Sequence, residues 1–413
     1  MSLAPDSVWL DARGTQSAAH GERGVARYVA EHTKALLEVA PEAIGAIGLD
    51  RDVPIPPSMK PLEGSGLIRS TRADGIPPPV IYHVMSPFEM TMALDEIWPG
   101  WIRRSEARVV VTLYDLVPLV MREDYLTESS WGHMGTVWMA RLGLIRAAHQ
   151  VLTISQRTAE DAVERLGVPE DRLTVIHSGV SAQLCSLVET REQAIDLLVR
   201  QRPRTRPGFL LYVGGDDARK NMEGTIRAYA RLPAPLRREH QLVIACRIGP
   251  LRRFELRTFA ASLGIAGDEI ELTGFVSDQE LAALYRACEL FIFPSLYEGA
   301  GLPILEAMSC DAPVAASNTS SIPELLGDLE ATFDPADPAD IARCLRELLE
   351  DPAAVDSLRE RSRRRLGVYT WGRVAKETIT GYERAVGIPL GPRSRESHHL
   401  GQILDRYAEL LEL

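Results

Sequence analysis

Long apolar stretches are what this sequence most plainly lacks. No run approaches the ~20 residues that a membrane-spanning helix needs. The start, MSLAPDSVWLDARG, has no basic region followed by an apolar core, so no secretory leader is expected. Cysteine is scarce and scattered: Cys185, Cys246, Cys288, Cys310 and Cys344 form no C-x-x-C pair. Such a set argues against a disulfide framework or a zinc site and suits reduced thiols in a cytosolic protein, four of them most simply small core residues. Positive charge is outnumbered, with 46 Lys and Arg against 57 Asp and Glu and a net charge of −11. That balance disfavours non-specific nucleic-acid binding. The segment after the first strand-like run, LDARGTQSAAHGERG, supplies no G-x-G-x-x-G, which argues against a nicotinamide-dependent oxidoreductase. No internal repeat is present.

What is present is the material of two ordinary globular domains: 413 residues, 45% hydrophobic and 25% charged. Apolar strand-like runs recur at residues 8–10, 80–82, 109–113, 150–154 and 173–176. In the second half they recur at 209–213, 242–245, 270–272, 290–293 and 313–315. Helical patterns separate most of them, as at 25–40, 157–166, 222–232, 254–263 and 278–287. Short apolar strands alternating with helices predict an α/β protein of two doubly wound, parallel-sheet, Rossmann-like domains, with ligands at the carboxyl ends of the strands and in the cleft where two such domains face each other. The expected divisions are a first domain over 1–178, a linker over 179–207 ending in the Pro- and Arg-rich QRPRTRPG, and a second domain over 208–370. A final helix over 371–386 and a tail over 387–413 complete the chain. Residues 50–79, rich in Pro and Gly, read as an excursion without regular structure.

The chemistry concentrates in the second half. FPSLYEGAGLPILEAM, residues 293–308, sets Glu298 in a Gly-rich loop and Glu306 a turn into the helix that Pro303 opens. The backbone N–H groups of Ala300, Gly301 and Leu302 at that helix start suit an anionic group, and the carboxylates suit sugar hydroxyls. Upstream, YVGGDDARKN (212–221) ends a strand in Gly214 and Gly215 and opens the next helix with Arg219 and Lys220, a cation pair fit for a diphosphate. TGFVSDQEL (273–281) is a strand-to-helix turn capped by Ser277 or Asp278, whose backbone at Phe275 and Val276 suits contact with a nucleobase.

These three motifs, in this order, resemble the family-4 retaining glycosyltransferases of GT-B fold, as do SNTSSIPELLGD (317–328), GVARYV near 24, TISQRTAED near 153 and IHSGV near 176. The look is nearest to bacterial polysaccharide and O-antigen mannosyltransferases. The resemblance implies Glu298, Arg219 and Lys220 as the catalytic set. It implies donor contacts from Gly21, Gly24, Gly214, Gly215, Phe275, Val276, Ala300, Gly301, Leu302 and Glu306, the last on the ribose. It further implies a hexosyltransferase that needs no cofactor and no metal. Its donor would be GDP-mannose or a UDP-sugar and its acceptor a glycan or lipid-linked hydroxyl. The site would be cytoplasmic, with room for a peripheral membrane contact. Trp98, Trp101, Arg103 and Arg104 form an aromatic and basic cluster suited to such a contact, although a half-buried helix accounts for them more simply.

Three positions depart from the family pattern. Tyr114 stands where His usually precedes the Asp, here Asp115, and a tyrosine cannot become a cation near neutral pH. This makes a nucleotide-sugar-binding protein without transfer the competing expectation. Ala300 replaces a usual Phe and Asp311 a usual Gly. On the acceptor side, YHVMSPFEM offers His83 and Ser86, which with Tyr114 and Asp115 are the candidate acceptor residues; Glu89 lies in the same segment.

Overall fold

Each apolar run becomes a strand whose neighbours are all parallel, the arrangement that buries a strand on both faces. The structure, a computed structural model, describes residues 3–16, 24–71, 77–88, 97–125, 138, 141–180, 182–327 and 331–389. These divide into two compact units, Met1–Gly179 with Trp371–Leu413, and Val180–Thr370.

The first unit is built on β1 (Val8–Asp11), β2 (Ile44–Leu49), β3 (Ile68–Ser70), β4 (Ile81–Val84), β5 (Arg108–Leu113), β6 (Gln150–Thr153) and β7 (Leu173–Val175). Among the described residues their order is β3-β2-β1-β4-β5-β6-β7. The chain therefore winds one way from β1 and then the other, with the switch point between β1 and β4. The helix Val25–Val39 turns Tyr28, His32 and Leu36 inward. The terminal helix, Trp371–Gly387, packs against it and over β6, where a Cβ on Gly381 would fall 2.5 Å from Leu152 Cδ2. A larger residue there would push the Leu152 side chain aside, so glycine lets the helix lie close without that shift. Trp101 is half-buried and packs edge-on against Trp9 and Tyr82 at the edge of this unit's core.

The second unit carries β8 (Leu210–Val213), β9 (Leu242–Ala245), β10 (Ile270–Leu272), β11 (Leu290–Phe293), β12 (Val314–Ser317) and β13 (Thr332–Phe333), in the order β10-β9-β8-β11-β12-β13. Period-two alternation sorts its residues between two cores. Leu211, Phe291 and Phe293 join Ile304 and Leu305 on one face. Leu210, Tyr212, Leu290 and Ile292 join Ile226 and Ile341 on the other. Full burial of each such side chain is worth about 1.5–3 kcal/mol, and all four residues of β11 are buried.

The structure corrects the reading of residues 179–207 as a linker. They carry the helices Ala182–Ser186 and Arg191–Gln201, the second opened by a capping box of Thr190 and Gln193. Ala194, Leu197 and Leu198 bury against the same core as the helix Asp278–Ala287. Residues 50–79 are likewise not wholly irregular, since β3 extends the sheet by pairing with β2.

Candidate active site

Strands β8 and β11 are neighbours at the switch point of the second sheet, and their carboxyl ends deliver the two loops that matter. After β8 the chain turns at Gly214, where a Cβ would lie 2.6 Å from the Tyr212 hydroxyl, so only glycine fits. At Gly215 a Cβ would meet nothing within 4 Å, which leaves that face of the loop open. Arg219 and Lys220 do not open the α-helix, as their sequence position suggested. They occupy a 3-10 turn, Ala218–Lys220, capped by Asp217, whose Oδ1 accepts the Arg219 N–H at 3.0 Å. Asn221 follows in the left-handed region at φ 56°, and the α-helix begins only at Met222. The cations are thereby kept off the positive end of that helix, where they would be disfavoured.

Asn221 also stitches the site together. Its Nδ2 donates to the carbonyls of Pro294 (3.2 Å) and Pro335 (2.7 Å), while the Leu296 N–H donates to the Arg219 carbonyl at 2.7 Å. The β8 and β11 loops are thus one assembly, and Glu298 is its centre. Arg219 Nη1 donates to Glu298 Oε2 at 2.8 Å, and Lys220 Nζ donates to Oε1 at 2.5 Å. Lys220 Nζ also stands 5.4 Å from the centroid of the Phe293 ring, within reach of its negative face. Burial opposes ionisation of the Glu298 carboxyl, but the charges of Lys220 and then Arg219 outweigh it and hold the group below the usual carboxylate range. Two fixed cations at the head of a parallel sheet can neutralise a diphosphate, and the carboxylate between them can face a sugar that carries developing positive charge.

The helix Leu302–Ser309 starts beside this triad. Gly301, at φ 73°, is its left-handed N-cap, and Pro303 stands in its first turn as expected. The N–H groups of Ala300, Gly301 and Leu302 lie at this end, where partial positive charge gathers. Glu306 is half-buried on the helix, with the Tyr285 hydroxyl 3.4 Å from its Oε2. On the loop after β10, Phe275 is 59% exposed and Val276 is buried in the core. Phe275 is therefore the one whose side chain reaches solvent.

The first unit treats its candidates differently. Gly24, at φ 64°, is the N-cap of the helix Val25–Val39; Gly21 and Glu89 lie outside the described residues. The reading of His83 as an acceptor residue is corrected. Its ring is fully buried, Nδ1 bonded to the Tyr382 hydroxyl at 2.7 Å and Nε2 to Thr112 Oγ1 at 2.8 Å. Desolvation and the neighbouring His32 hold its pKa well below the ordinary histidine value. Both nitrogens are engaged in pinning the terminal helix to β4 and β5. Tyr114 is buried too: its hydroxyl donates to the Met85 carbonyl at 2.8 Å and its ring meets Tyr28 edge-on. Ser86 is buried against Gly14, where a Cβ would fall 2.7 Å from Ser86 Cβ. Asp115 Oδ1 accepts the Val117 N–H at 3.1 Å.

Sequence reasoning missed a buried cluster at the end of β1. There Asp11 accepts two side-chain bonds from Arg13, at 2.9 and 2.6 Å, and one from the Tyr82 hydroxyl at 3.0 Å. A carboxylate and a cation two residues apart at a strand end were the available signal. Among the described residues, no three His, Cys, Asp or Glu side chains gather as a metal site, and no helix is long and apolar enough to cross a membrane.

The family described as "Glycosyl transferases group 1" matches residues 197–365, and that described as "Glycosyltransferase Family 4" matches residues 23–184. The serotype-specific mannosyltransferase WbdA of Escherichia coli is 33% identical over 277 residues, which are 67% of this chain and 33% of that protein. The O-antigen chain mannosyltransferase B of Escherichia coli is 31% identical over 238 residues, 57% of this chain and 61% of that one. This chain thus spans about a third of the length of the first relative and under two thirds of the second. Among solved structures, Anabaena Alr3699/HepE in complex with UDP and glucose superposes with a TM-score of 0.66 at 17% identity, covering 91% of this chain and 98% of that one.

Proposed function

We propose, for a chain that belongs to the group 1, family-4 glycosyltransferases and has their GT-B fold, that it moves mannose from GDP-mannose to a hydroxyl of a glycan or lipid-linked acceptor. The observation that carries this reading is the convergence of Arg219 and Lys220 on Glu298 at the carboxyl ends of β8 and β11. The mannosyltransferase names of the two bacterial relatives support the sugar, and the O-antigen chain in the name of the second supports polysaccharide or glycoconjugate synthesis. A UDP-sugar, UDP-glucose in particular, is the second reading, favoured by the UDP and glucose bound in the Anabaena protein.

In this reading Arg219 and Lys220 turn from Glu298 to the diphosphate and stabilise its departure, which lets the reaction proceed without a metal. The bond from the anomeric carbon to the diphosphate oxygen breaks as the bond to the acceptor oxygen forms on the same face of the sugar. The departing diphosphate oxygen takes the acceptor proton, so configuration is retained and no enzymic nucleophile is needed. Glu298 then faces the oxocarbenium-like centre. The N–H groups at Ala300 to Leu302 hold phosphate oxygens, and Glu306 binds the ribose hydroxyls.

The deciding experiment is a thermal-shift panel of GDP, UDP, ADP and their sugars, with and without EDTA. Ligand at 100-fold over its Kd adds about 2.7 kcal/mol to the native state. A shift with GDP and GDP-mannose that survives EDTA, followed by transfer with retained anomeric configuration, is the expected result. A shift with UDP alone moves the donor to a UDP-sugar. Binding without sugar transfer to any acceptor makes the chain a nucleotide-sugar-binding protein, and no shift at all overturns the reading.

A further inference from the structure

The segment Ser317–Ser321, from the last residue of β12 to the start of the helix Ile322–Leu326, spends its hydroxyls on the backbone at the end of β11 and in the loop after it. Ser317 Oγ donates to the Phe293 carbonyl at 3.2 Å, and Thr319 Oγ1 donates to the Leu296 carbonyl at 3.1 Å. Ser320 Oγ accepts the Glu298 N–H at 3.1 Å, and Ser321 Oγ donates to the Glu298 carbonyl at 3.0 Å. The two backbone polar groups of one residue are thus held by two consecutive serines. That fixes the peptide planes on either side of Glu298, and with them the direction of its side chain.

Neither serine is explained by its own local structure. Ser320 sits at φ 56°, a left-handed conformation that glycine adopts without strain and other residues adopt at a cost. The residue there nonetheless carries a hydroxyl, and that hydroxyl accepts the Glu298 N–H. Ser321 precedes the helix Ile322–Leu326, the usual post for a capping serine, yet its side chain caps nothing. It is 1% exposed and points its hydroxyl at Glu298 instead.

We infer that Ser320 and Ser321 are positioning residues that keep Glu298 in place once a nucleoside diphosphate has taken Arg219 and Lys220 from it. The inference rests on the transferase reading given above. Without a ligand the carboxylate is gripped by both cations. With the cations turned to phosphate, the grip on its backbone remains, and a free carboxylate held toward the sugar is what the chemical step requires. The serines act through Glu298 and touch neither sugar nor phosphate, so they govern turnover more than donor affinity.

The test uses Ser320→Gly, which keeps the left-handed backbone and relieves its strain, Ser321→Ala, and the double variant. Thermal midpoints show that each is folded. Amide hydrogen exchange of the peptide spanning 295–299 is followed with and without saturating GDP or UDP, and kcat and KM are measured with the donor the wild type uses. The expected result is exchange about tenfold faster in the double variant, kcat lowered by at least about tenfold, and donor KM and GDP or UDP affinity within about threefold of wild type. Unchanged exchange overturns the inference, and so does faster exchange with unchanged kcat. A loss confined to nucleotide affinity also overturns it, because the serines would then serve binding. Should the wild type transfer sugar from no nucleotide, the transferase reading falls, and the nucleotide-free exchange decides alone whether the serines hold Glu298.

Discussion

Lys220 Nζ lies 2.5 Å from Glu298 Oε1 while Arg219 occupies the other carboxylate oxygen, so Glu298 holds the cations that a diphosphate would claim. In the proposed reading the carboxylate would compete with the diphosphate for both cations. Glu298→Gln removes the competing charge and keeps the shape. It is expected to bind GDP or UDP at least as tightly as the wild type, up to about tenfold tighter, and to lose transfer by at least about 100-fold. Isothermal titration beside an activity assay measures both. Weaker nucleotide binding would show that Glu298 holds the nucleotide and does not oppose it.

The converse substitution has the opposite sign for binding. Lys220→Ala takes a cation from the diphosphate and leaves the 6%-exposed Glu298 with Arg219 alone. Removing one partner of a buried ion pair costs about 3 kcal/mol. Nucleotide affinity is expected to fall by about tenfold or more, with native stability also lowered. Titration and chemical denaturation followed by far-ultraviolet circular dichroism check the two effects separately. Wild-type affinity in this variant would remove Lys220 from the site.

Acid should loosen the first unit before the second. His32 is fully buried, its Nε2 bonded to Thr378 Oγ1 at 2.8 Å, and desolvation lowers its pKa from 6.5 to about 3. Below pH 6.5 the unfolded chain takes a proton that the folded chain refuses. Stability is therefore complete above that pH and falls by about 1.4 kcal/mol per pH unit toward pH 3. His83 beside it acts in the same direction. Glu298, whose pKa is lowered, contributes only once pH falls through the carboxylate range. All six tryptophans belong to the first unit, so their fluorescence follows it selectively. Its denaturation midpoint should drop from pH 7 to 5, and His32→Gln should flatten that dependence. An equal slope in the variant would exclude His32 as the cause.

These contrasts separate what the sequence made legible from what only packing decides. The strand Leu290–Phe293 and the cations after β8 are local: an apolar run, a glycine turn and two adjacent charges suffice to find them. Strand Ile44–Leu49 is harder because Gly45 and Gly48 interrupt its apolar pattern. Gly45 is demanded by close approach, since a Cβ would fall 2.6 Å from the Asp6 carbonyl oxygen, and at Gly48 a Cβ would crowd the Thr71 methyl at 2.7 Å. The helix Arg191–Gln201 was hidden by the Pro- and Arg-rich stretch that follows it, although Thr190 and Gln193 spell its capping box. His83 carries no local mark of burial, because its partners Thr112 and Tyr382 are 29 and 299 residues away. The grip of Ser320 and Ser321 on Glu298 is equally non-local, bridging 22 and 23 residues.

Asn221 joins both kinds of information, since its left-handed backbone is local and its two carbonyl partners are distant. Asn221→Gly keeps the backbone but loses the bonds to Pro294 and Pro335. Asn221→Ala loses the bonds and strains the backbone as well. The expected cost is about 1–2 kcal/mol for glycine and about 1 kcal/mol more for alanine. Both should weaken nucleotide binding, because the loop presenting Arg219 and Lys220 is no longer anchored. Chemical denaturation of the two variants orders them, and equal stability would mean that the left-handed conformation carries no strain here.

Tyr114 decides whether the departure from the family's usual histidine touches activity at all. Its hydroxyl is committed to the Met85 carbonyl and its ring to Tyr28, so it serves the packing of the first unit. Tyr114→Phe deletes one buried hydrogen bond and is expected to cost about 1 kcal/mol of stability, with kcat and KM for the donor within about twofold of wild type. Tyrosine cannot carry charge near neutral pH, so the same variant should leave the pH–rate profile between pH 6 and 8 unchanged in shape. A large fall in kcat with the fold intact would instead place the phenol on the substrate. That result would require the Met85 bond to open during the reaction, and it would return Tyr114 to the acceptor-side residues.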